Sequence, residues 1–200
     1  MKLLARKHRL LTLLQAQSRL ALNAGRCLWE GASQGGTVLA DEIRQTEQLR
    51  IEIGNLEARI TKQLQRTWIT PLDPDDILGI SLSLKKIAES VAAATGRIHS
   101  CSSEAISADV VELTEIIHRC TKLLNEQVLS WSGSGRAESV RKLAATAGQI
   151  VCRSKAELLA AGMNPIEVIK RWEMYDAAGA VLRRCVASEK QFQRVLLKNG

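Results

Sequence analysis

Histidine and cysteine side chains are the metal ligands and nucleophiles that this chain offers, and their spacing does not predict a zinc site. The histidines are His8, His99 and His118, and no two of them are spaced as zinc ligands. His118 and Cys120 lie two residues apart on one predicted helix, so they face different directions, and Cys120 falls on the apolar stripe. The sequence therefore leaves His99 and Cys101, at a predicted helix end, as the one candidate ligand pair.

The cysteines are five in number, widely spread and without a CxxC motif. An odd, scattered set fits free thiols in a reducing compartment, and we expect a cytoplasmic protein. The thiols are Cys27, Cys101, Cys120, Cys152 and Cys185.

Three aspartates surround one proline in the stretch that punctuates the chain most clearly. Asp73 is suited to an N-cap and Pro74 to the first helical position, while Asp75 and Asp76 favour the positive end of a helix dipole. Pro71 ends the preceding helix, because the residue before a proline is pushed out of the α region. We interpret the three acids mainly as caps.

Positive charge is concentrated at the beginning of the chain. The formal net charge is +7, and six basic residues come before the first acid, Glu30. The first predicted helix is amphipathic with a basic face, which could lie on an anionic membrane surface or dock a transporter, or could simply be the exposed side of a bundle helix. The candidate docking residues are Lys2, Arg6, Lys7 and Arg9.

Other function classes lack their signatures. A Walker loop and a GxGxxG motif are absent, and residues 132–135 (Ser-Gly-Ser-Gly) read as a linker. Aromatic residues are 3% of the chain and no helix-turn-helix pattern is visible, so nucleic-acid binding is not expected. No run approaches ~18 apolar residues, and charge breaks the beginning too early for a secretory signal. We expect a protein that is not an enzyme and carries no cofactor.

The elements that must position these residues are predicted to be six helices, giving an all-α fold. Apolar side chains recur at steps of three and four, and strand-like alternation is absent. The first predicted helix spans about residues 3–29, and the second runs from the glycine-rich break at 31–36 to residue 68. The third runs from the cap at 73 to about 96–103. The last three span about 106–131, 136–161, and 165 to nearly 200.

The two halves of the chain follow one pattern. Each has three predicted helices, and the third opens with a cap followed by proline, Asp73-Pro74 in one half and Asn164-Pro165 in the other. We expect an internal duplication within a single domain over residues 1–200, with repeat one at about 1–99 and repeat two at about 100–200. Long antiparallel helices with short connections predict an elongated bundle.

Two stretches resemble the PhoU-like proteins often associated with Pit-type phosphate transporters. That family reads N-K-T-F-I-T-P-F-D-R-E-D-I between its second and third helices, where this chain has Q-R-T-W-I-T-P-L-D-P-D-D-I at 65–77. The family's last helix opens D-P-I-E-V-I-K, continues through E-x-Y and ends near L-K-N. The chain has N-P-I-E-V-I-K at 164–170, E-M-Y at 173–175 and L-K-N at 197–199.

The resemblance implies a bundle of two three-helix repeats and a role in phosphate uptake or its regulation. It also implies metal clusters, because relatives bind them through E/D-x-x-x-D motifs whose carboxylates lie one turn apart. Aligned through residues 70–77, these positions carry mostly non-ligating residues, and we expect the metal sites to be absent. The positions hold Arg50 and Gly54, then Lys85, Lys86 and Glu89, then Ala144 and Gly148, then Gly179, Arg183, Val186 and Ala187.

Three glycines at these positions lie in helix interiors, where each costs about 0.5–1 kcal/mol relative to alanine. A close approach of neighbouring helices would explain Gly54, Gly148 and Gly179, and it is the interpretation that we favour. A cleft in which relatives hold metal is the alternative.

Three functions follow from these observations. The first is a non-enzymatic, PhoU-like accessory or regulator of phosphate transport that contacts a transporter or other regulatory protein, at the inner membrane face or as an oligomer. The second is an anion or phosphate module with a basic pocket of Arg50, Lys85, Lys86 and Arg183. The third is a metal-binding regulator that keeps a reduced site, for which Glu89 is the surviving acid and Asp73, Asp75 and Asp76 remain near the start of the third helix.

Overall fold

A computed structural model describes residues 2–66, 70, 72–102, 106–130 and 139–199 of the chain. These residues form α1 (Lys2–Gln34), α2 (Gly36–Gln65), α3 (Pro74–Cys101), α4 (Ala108–Ser130), α5 (Val140–Ala160) and α6 (Pro165–Asn199), without a strand in the described part. The predicted all-α fold of six helices is confirmed. The linker prediction for residues 132–135, and those for Trp68, Pro71 and Trp131, lie outside the described residues.

The helix caps follow the sequence closely. Asp73 accepts a hydrogen bond from the backbone N–H of Asp75 at 3.0 Å, and Asn164 accepts one from Ile166 at 2.9 Å. Gly162 has φ 62°, the left-handed conformation that commonly follows a helix end. Both predicted cap–proline helix starts are therefore confirmed.

The break between α1 and α2 is shorter than predicted. We expected the whole stretch 31–36 to interrupt the helix, but α1 continues to Gln34 and only Gly35, with φ 64°, separates it from α2. Gly31 stays helical because α2 packs closely there: a Cβ on Gly31 would lie 3.0 Å from Leu39 Cδ1 and 3.2 Å from Glu42. Gly31 therefore permits a close contact between the two helices.

Each half of the chain packs as a group of three helices. Helices α1, α2 and α3 contact one another, as do α4, α5 and α6. Between the groups, α1 packs on α4, α3 packs on α6, and α1 approaches α4 closely enough that a Cβ on Gly25 would meet Thr121 Oγ1 at 2.4 Å. Helices α2 and α5 occupy outer positions and contact only helices of their own group among those described.

Two apolar clusters form the core along the bundle. One joins α4, α5, α6 and the second half of α3 with residues of α1 and the beginning of α2, and it includes Cys120 and Cys185. The other joins α1, α2 and the first half of α3 with the ends of α4 and α6, including Val128, Phe192 and Val195. The 35-residue α6 is about 50 Å long and contributes to both.

Candidate functional site

The groove between α2 and α3 is lined by paired charges. Lys85 Nζ of α3 donates to Glu57 Oε2 of α2 at 3.3 Å. About two to three turns away along α2, Arg50 Nε donates to Glu47 Oε2 at 2.8 Å. The pKa of Arg50 is raised by its hydrogen bond to Glu47, with a smaller contribution from the charge of Glu89. Arg50 and Lys85 therefore lie beside carboxylates rather than forming a basic pocket.

The groove between α5 and α6 is apolar. It encloses a cavity of about 380 Å³. Ala147 and Leu182, both in the core, form the floor of this cavity. Arg183 is the one charged residue among the described residues that line it. Five of the positions aligned with the family's metal ligands line it: Ala144, Gly148, Gly179, Arg183 and Val186.

The glycines in these grooves do not mark close helix contacts. A Cβ on Gly54 or Gly148 would meet nothing within 4 Å, and one on Gly179 would meet only Arg183 Nη1, at 3.4 Å. The prediction that neighbouring helices approach closely at these three positions is wrong. Close contacts occur at Gly25, Gly31 and Gly79 instead, where a Cβ would come within about 3 Å of a neighbouring side chain.

The four residues of the predicted anion pocket are not brought together. Arg50 and Lys85 belong to the α2–α3 groove and Arg183 to the α5–α6 groove, while Lys86 faces a cavity of about 270 Å³ between α3 and α6. Arg184, which the sequence did not single out, and Ala187 line the same cavity. Neither Lys86 nor Arg184 makes an ion pair within the described part of the chain.

The acids at the start of α3 are engaged at that helix end. Lys198 Nζ lies 2.8 Å from Asp73 Oδ2 and 3.1 Å from Asp76 Oδ2, and Asp76 is nearly buried. The hydrogen bond from Lys198 is the main cause that lowers the pKa of Asp73. The cap interpretation of Asp73 is confirmed, and Lys198 ties the end of α6 to the beginning of α3.

Histidine and cysteine side chains are dispersed. His118 stacks on Trp29 with ring centroids 5.4 Å apart, and burial lowers its pKa. Burial raises the pKa of Cys27 and of Cys185 to about 12 in each case. His99 is exposed, and among the residues that the structure describes no three His, Cys, Asp or Glu side chains are grouped as metal ligands.

The predicted docking residues are described only in part. Arg9 is exposed on α1, whereas the side chains of Lys2, Arg6 and Lys7 lie outside the described ones. No described helix combines the length and apolarity needed to cross a bilayer.

A buried carboxylate that the sequence did not single out positions α5. Glu189 of α6 is 1% exposed and accepts hydrogen bonds from the backbone N–H groups of Val140 and Arg141, at 3.0 and 3.1 Å. The N-terminal N–H groups of a helix have no partner within it, and the helix dipole favours a negative charge there. Glu189 therefore fixes the beginning of α5 against α6. A glutamate in the middle of a helix gives no sequence signal for this role.

Large apolar side chains are exposed where α5 turns into α6. We call Leu159, Ile166 and Ile169 the hairpin tip; they are 67%, 62% and 61% exposed. Below the tip, Lys155 Nζ of α5 lies 4.0 Å from the centre of the Trp172 ring and 2.6 Å from Asp176 Oδ1. These contacts hold the two helices together beneath an apolar end.

Comparison with known proteins identifies the fold. No family model and no curated protein matches the sequence. Among solved structures, a PhoU-like protein from Shewanella oneidensis MR-1 is 13% identical and superposes with a TM-score of 0.67, covering 94% of this chain and 99% of its own. A second protein from that organism, described as a PhoU-like phosphate regulatory protein, is 12% identical, with a TM-score of 0.64 and the same coverage. The chain has a PhoU-like fold.

Proposed function

We propose that this chain is a non-enzymatic accessory or regulatory protein of inorganic phosphate transport that acts by contacting a phosphate transporter of the Pit type at the cytoplasmic membrane face. The PhoU-like fold and the description of one structural neighbour as a phosphate regulatory protein support the proposal. The observation that carries the contact mechanism is the hairpin tip.

The hairpin tip suits a protein partner because its apolar residues are grouped. Leu159 lies in the last turn of α5, and Ile166 and Ile169 lie in the first two turns of α6. The other exposed large apolar side chains of the described part are far apart along the chain, on α2, α4 and the end of α6: Ile51, Leu129 and Leu197. Grouped, exposed apolar side chains mark interaction sites, while isolated ones are ordinary. Partner contact at the tip would remove this surface from water.

A role without catalysis agrees with the surroundings of the reactive groups. The Cys27 and Cys185 thiols are buried with a pKa of about 12, so both stay protonated at neutral pH. His118 is stacked on Trp29 between α1 and α4 rather than directed into a groove. We further propose that the family's metal sites are degenerate here. At the α2–α3 positions Arg50 and Lys85 are in ion pairs, and the α5–α6 positions hold small or apolar residues and the cation Arg183.

The test is recovery of the transporter from native membranes of cells that express the tagged chain. After mild crosslinking, the wild-type chain should co-purify the phosphate transporter, identified by mass spectrometry. A double variant, Ile166→Asp with Ile169→Asp, should lose it, because carboxylates cannot be buried in an apolar contact without a partner. Leu197→Asp, also at an exposed position, is the matched control and should retain it. Failure of the wild-type chain to recover the transporter would reject the proposal.

An anion-binding function is the second candidate, and one observation favours it. Lys86 and Arg184 face the same α3–α6 cavity without a carboxylate among the residues that line it. Calorimetric titration with phosphate and polyphosphate at low salt should give heat for the wild type and none for a Lys86→Gln, Arg184→Gln variant. An absence of heat with the wild type would exclude this candidate.

Metal content distinguishes a metal-binding regulator, the third candidate, from the two functions above. Protein purified without chelator or tag should contain no stoichiometric metal if the sites are degenerate. Near-stoichiometric iron, zinc or nickel, measured by plasma mass spectrometry, would instead favour a metal-binding regulator that uses Glu89 and the acids at the start of α3.

A further inference from the structure

We propose that the α5–α6 groove binds a free single-chain amphiphile with an anionic head, such as a medium-chain fatty acid. This inference is independent of the transporter contact proposed above. It rests on the apolar cavity, on the cation Arg183, which has no ion-pair partner among the described residues, and on the size of the opening.

The groove offers an acyl chain a hydrophobic surface. Its floor is the core residues Ala147 and Leu182, and its sides include the half-buried Val151 and Val186. The cavity volume of about 380 Å³ falls in the lower part of the range of small-molecule sites, ~300–1,000 Å³. Along α5 the lining extends from Ala144 to Cys152, about 12 Å at the helical rise. A medium-length chain can lie along it.

The absence of side chains at two positions keeps the groove open. A Cβ on Gly148 would meet nothing within 4 Å, and a Cβ on Gly179 would meet only the Arg183 guanidinium. Each glycine in a helix interior costs about 0.5–1 kcal/mol relative to alanine, and here no close helix contact accounts for that cost. The two glycines instead leave space for a guest molecule.

Arg183 supplies the head-group contact. Its Nη1 lies 3.4 Å from the position of a Cβ on Gly179, so the guanidinium folds back over the groove. Arg183 makes no ion pair within the described part of the chain, and no residue that lines the cavity is acidic. A guanidinium can donate two parallel hydrogen bonds to one carboxylate.

Other occupants fit the groove less well. A fully polar anion would bind only Arg183, since the remaining lining is apolar apart from the Cys152 thiol. A partner helix, with a diameter of about 10–12 Å, is too wide to enter a cavity of this volume. An amphiphile satisfies the apolar surface and the cation together.

The test is titration of the full chain with decanoate, followed by calorimetry, with decanol, decyltrimethylammonium and inorganic phosphate as comparison ligands. Decanoate should bind, and each methylene removed from the chain should weaken binding about two- to fourfold. Arg183→Gln should weaken decanoate binding about five- to tenfold and leave decanol unchanged. Equal binding of decanoate and decyltrimethylammonium would overturn the assignment of Arg183, and no binding of decanoate would overturn the site.

Filling the groove provides a matched pair of variants. Gly148→Leu should abolish decanoate binding, because a long helical side chain lies over the preceding turn and would cover the cavity towards Ala144. Gly54→Leu, at the equally open position of the α2–α3 groove, should bind decanoate as the wild type does. Both replace glycine by a better helix former, so both should fold. Unchanged binding by Gly148→Leu would overturn the location.

Cys152 reports occupancy of the groove directly, because it is exposed and lines the cavity. Saturating decanoate should slow its alkylation by N-ethylmaleimide at least threefold, measured by peptide mass spectrometry, and leave Cys101 unchanged. Lipid vesicles that contain anionic phospholipid should not slow it. Protection by vesicles but not by free decanoate would overturn the proposal in favour of a membrane contact.

Discussion

The grooves α2–α3 and α5–α6 each lie between consecutive helices and have opposite chemistry. In the first, Lys85 pairs with Glu57 and Arg50 with Glu47, so the charges are satisfied within the protein. In the second, small and apolar residues line a cavity beneath Arg183, which has no partner among the described residues. Charges in a groove between two helices can therefore be satisfied by internal ion pairs, or a cation can be left available to a ligand.

The largest expected effect concerns Glu189, whose carboxylate holds the beginning of α5 against α6. Glu189→Ala should lower the free energy of unfolding by about 2–4 kcal/mol, because two N–H groups at the start of α5 lose their acceptor, one of them on the buried Val140. Urea unfolding followed by circular dichroism measures the change. Glu47→Ala, an exposed carboxylate of the other groove, is the control and should change stability by less than ~0.5 kcal/mol. Equal effects would mean that Glu189 does not anchor α5.

The second prediction distinguishes open glycines from tightly packed ones. Gly148→Ala and Gly54→Ala should each stabilise the protein by about 0.5–1 kcal/mol, because the added methyl group meets nothing and alanine favours the helix. Gly25→Ala should destabilise it by about 1–3 kcal/mol, since its Cβ would lie 2.4 Å from Thr121 Oγ1. Thermal unfolding of the three variants measures both signs. A loss of stability in Gly148→Ala would show that the α5–α6 groove is not open there.

The third prediction tests whether the ion pair between Lys85 and Glu57 stabilises the contact of α2 with α3. A double-mutant cycle with Lys85→Met and Glu57→Gln should give a coupling energy of about 0.5–1 kcal/mol, because the Glu57 side chain is 16% exposed and Lys85 34%. The coupling should fall when the salt concentration is raised to 1 M, where charges are screened over ~3 Å. The more exposed pair Arg153–Glu157 should give a smaller value in the same assay. An absence of coupling would show that this ion pair does not stabilise the contact between the two helices.

The smallest expected effect is a dependence of folding stability on acidic pH, which we expect from the ion pair of the α2–α3 groove and not from Arg183 in the α5–α6 groove. The hydrogen bond from Arg50 lowers the pKa of Glu47 below its ordinary value of 4.5. Because the folded form binds this proton less readily than the unfolded form, the stabilisation is present above about pH 4.5 and is lost as the pH falls through the lowered pKa. Arg50→Gln should therefore flatten the fall in stability below pH 4.5, measured by urea unfolding at several pH values. Arg183→Gln should leave it unchanged.

The sequence predicted those features of the fold that depend on residues adjacent in the chain. The caps at Asp73 and Asn164 depend on a few adjacent residues, and the structure has them as predicted. The continuation of α1 through Gly31 could not be read from the sequence, because it depends on α2 packing against that residue. A glycine alone does not tell a helix break from a close contact.

The site could be predicted less completely, because its chemistry depends on contacts between distant residues. The resemblance indicated the positions of Gly148, Gly179 and Arg183, but not that they line one cavity. The pairing of Lys85 with Glu57 and the meeting of Lys86 with Arg184 depend on which helix faces lie opposite each other. Glu189 acts across 49 residues of sequence, and no local pattern marks it.

The single-residue connection at Gly35 bears on how the chain folds. It joins helices of 33 and 30 residues, so that the contacts between α1 and α2 begin between residues only a few positions apart. Closing so short a loop costs little chain entropy, and topologies rich in such local contacts form fast. The hairpin of α1 and α2 is therefore the segment best placed to assemble first during synthesis, giving α3 a surface on which to pack before the second half of the chain is complete.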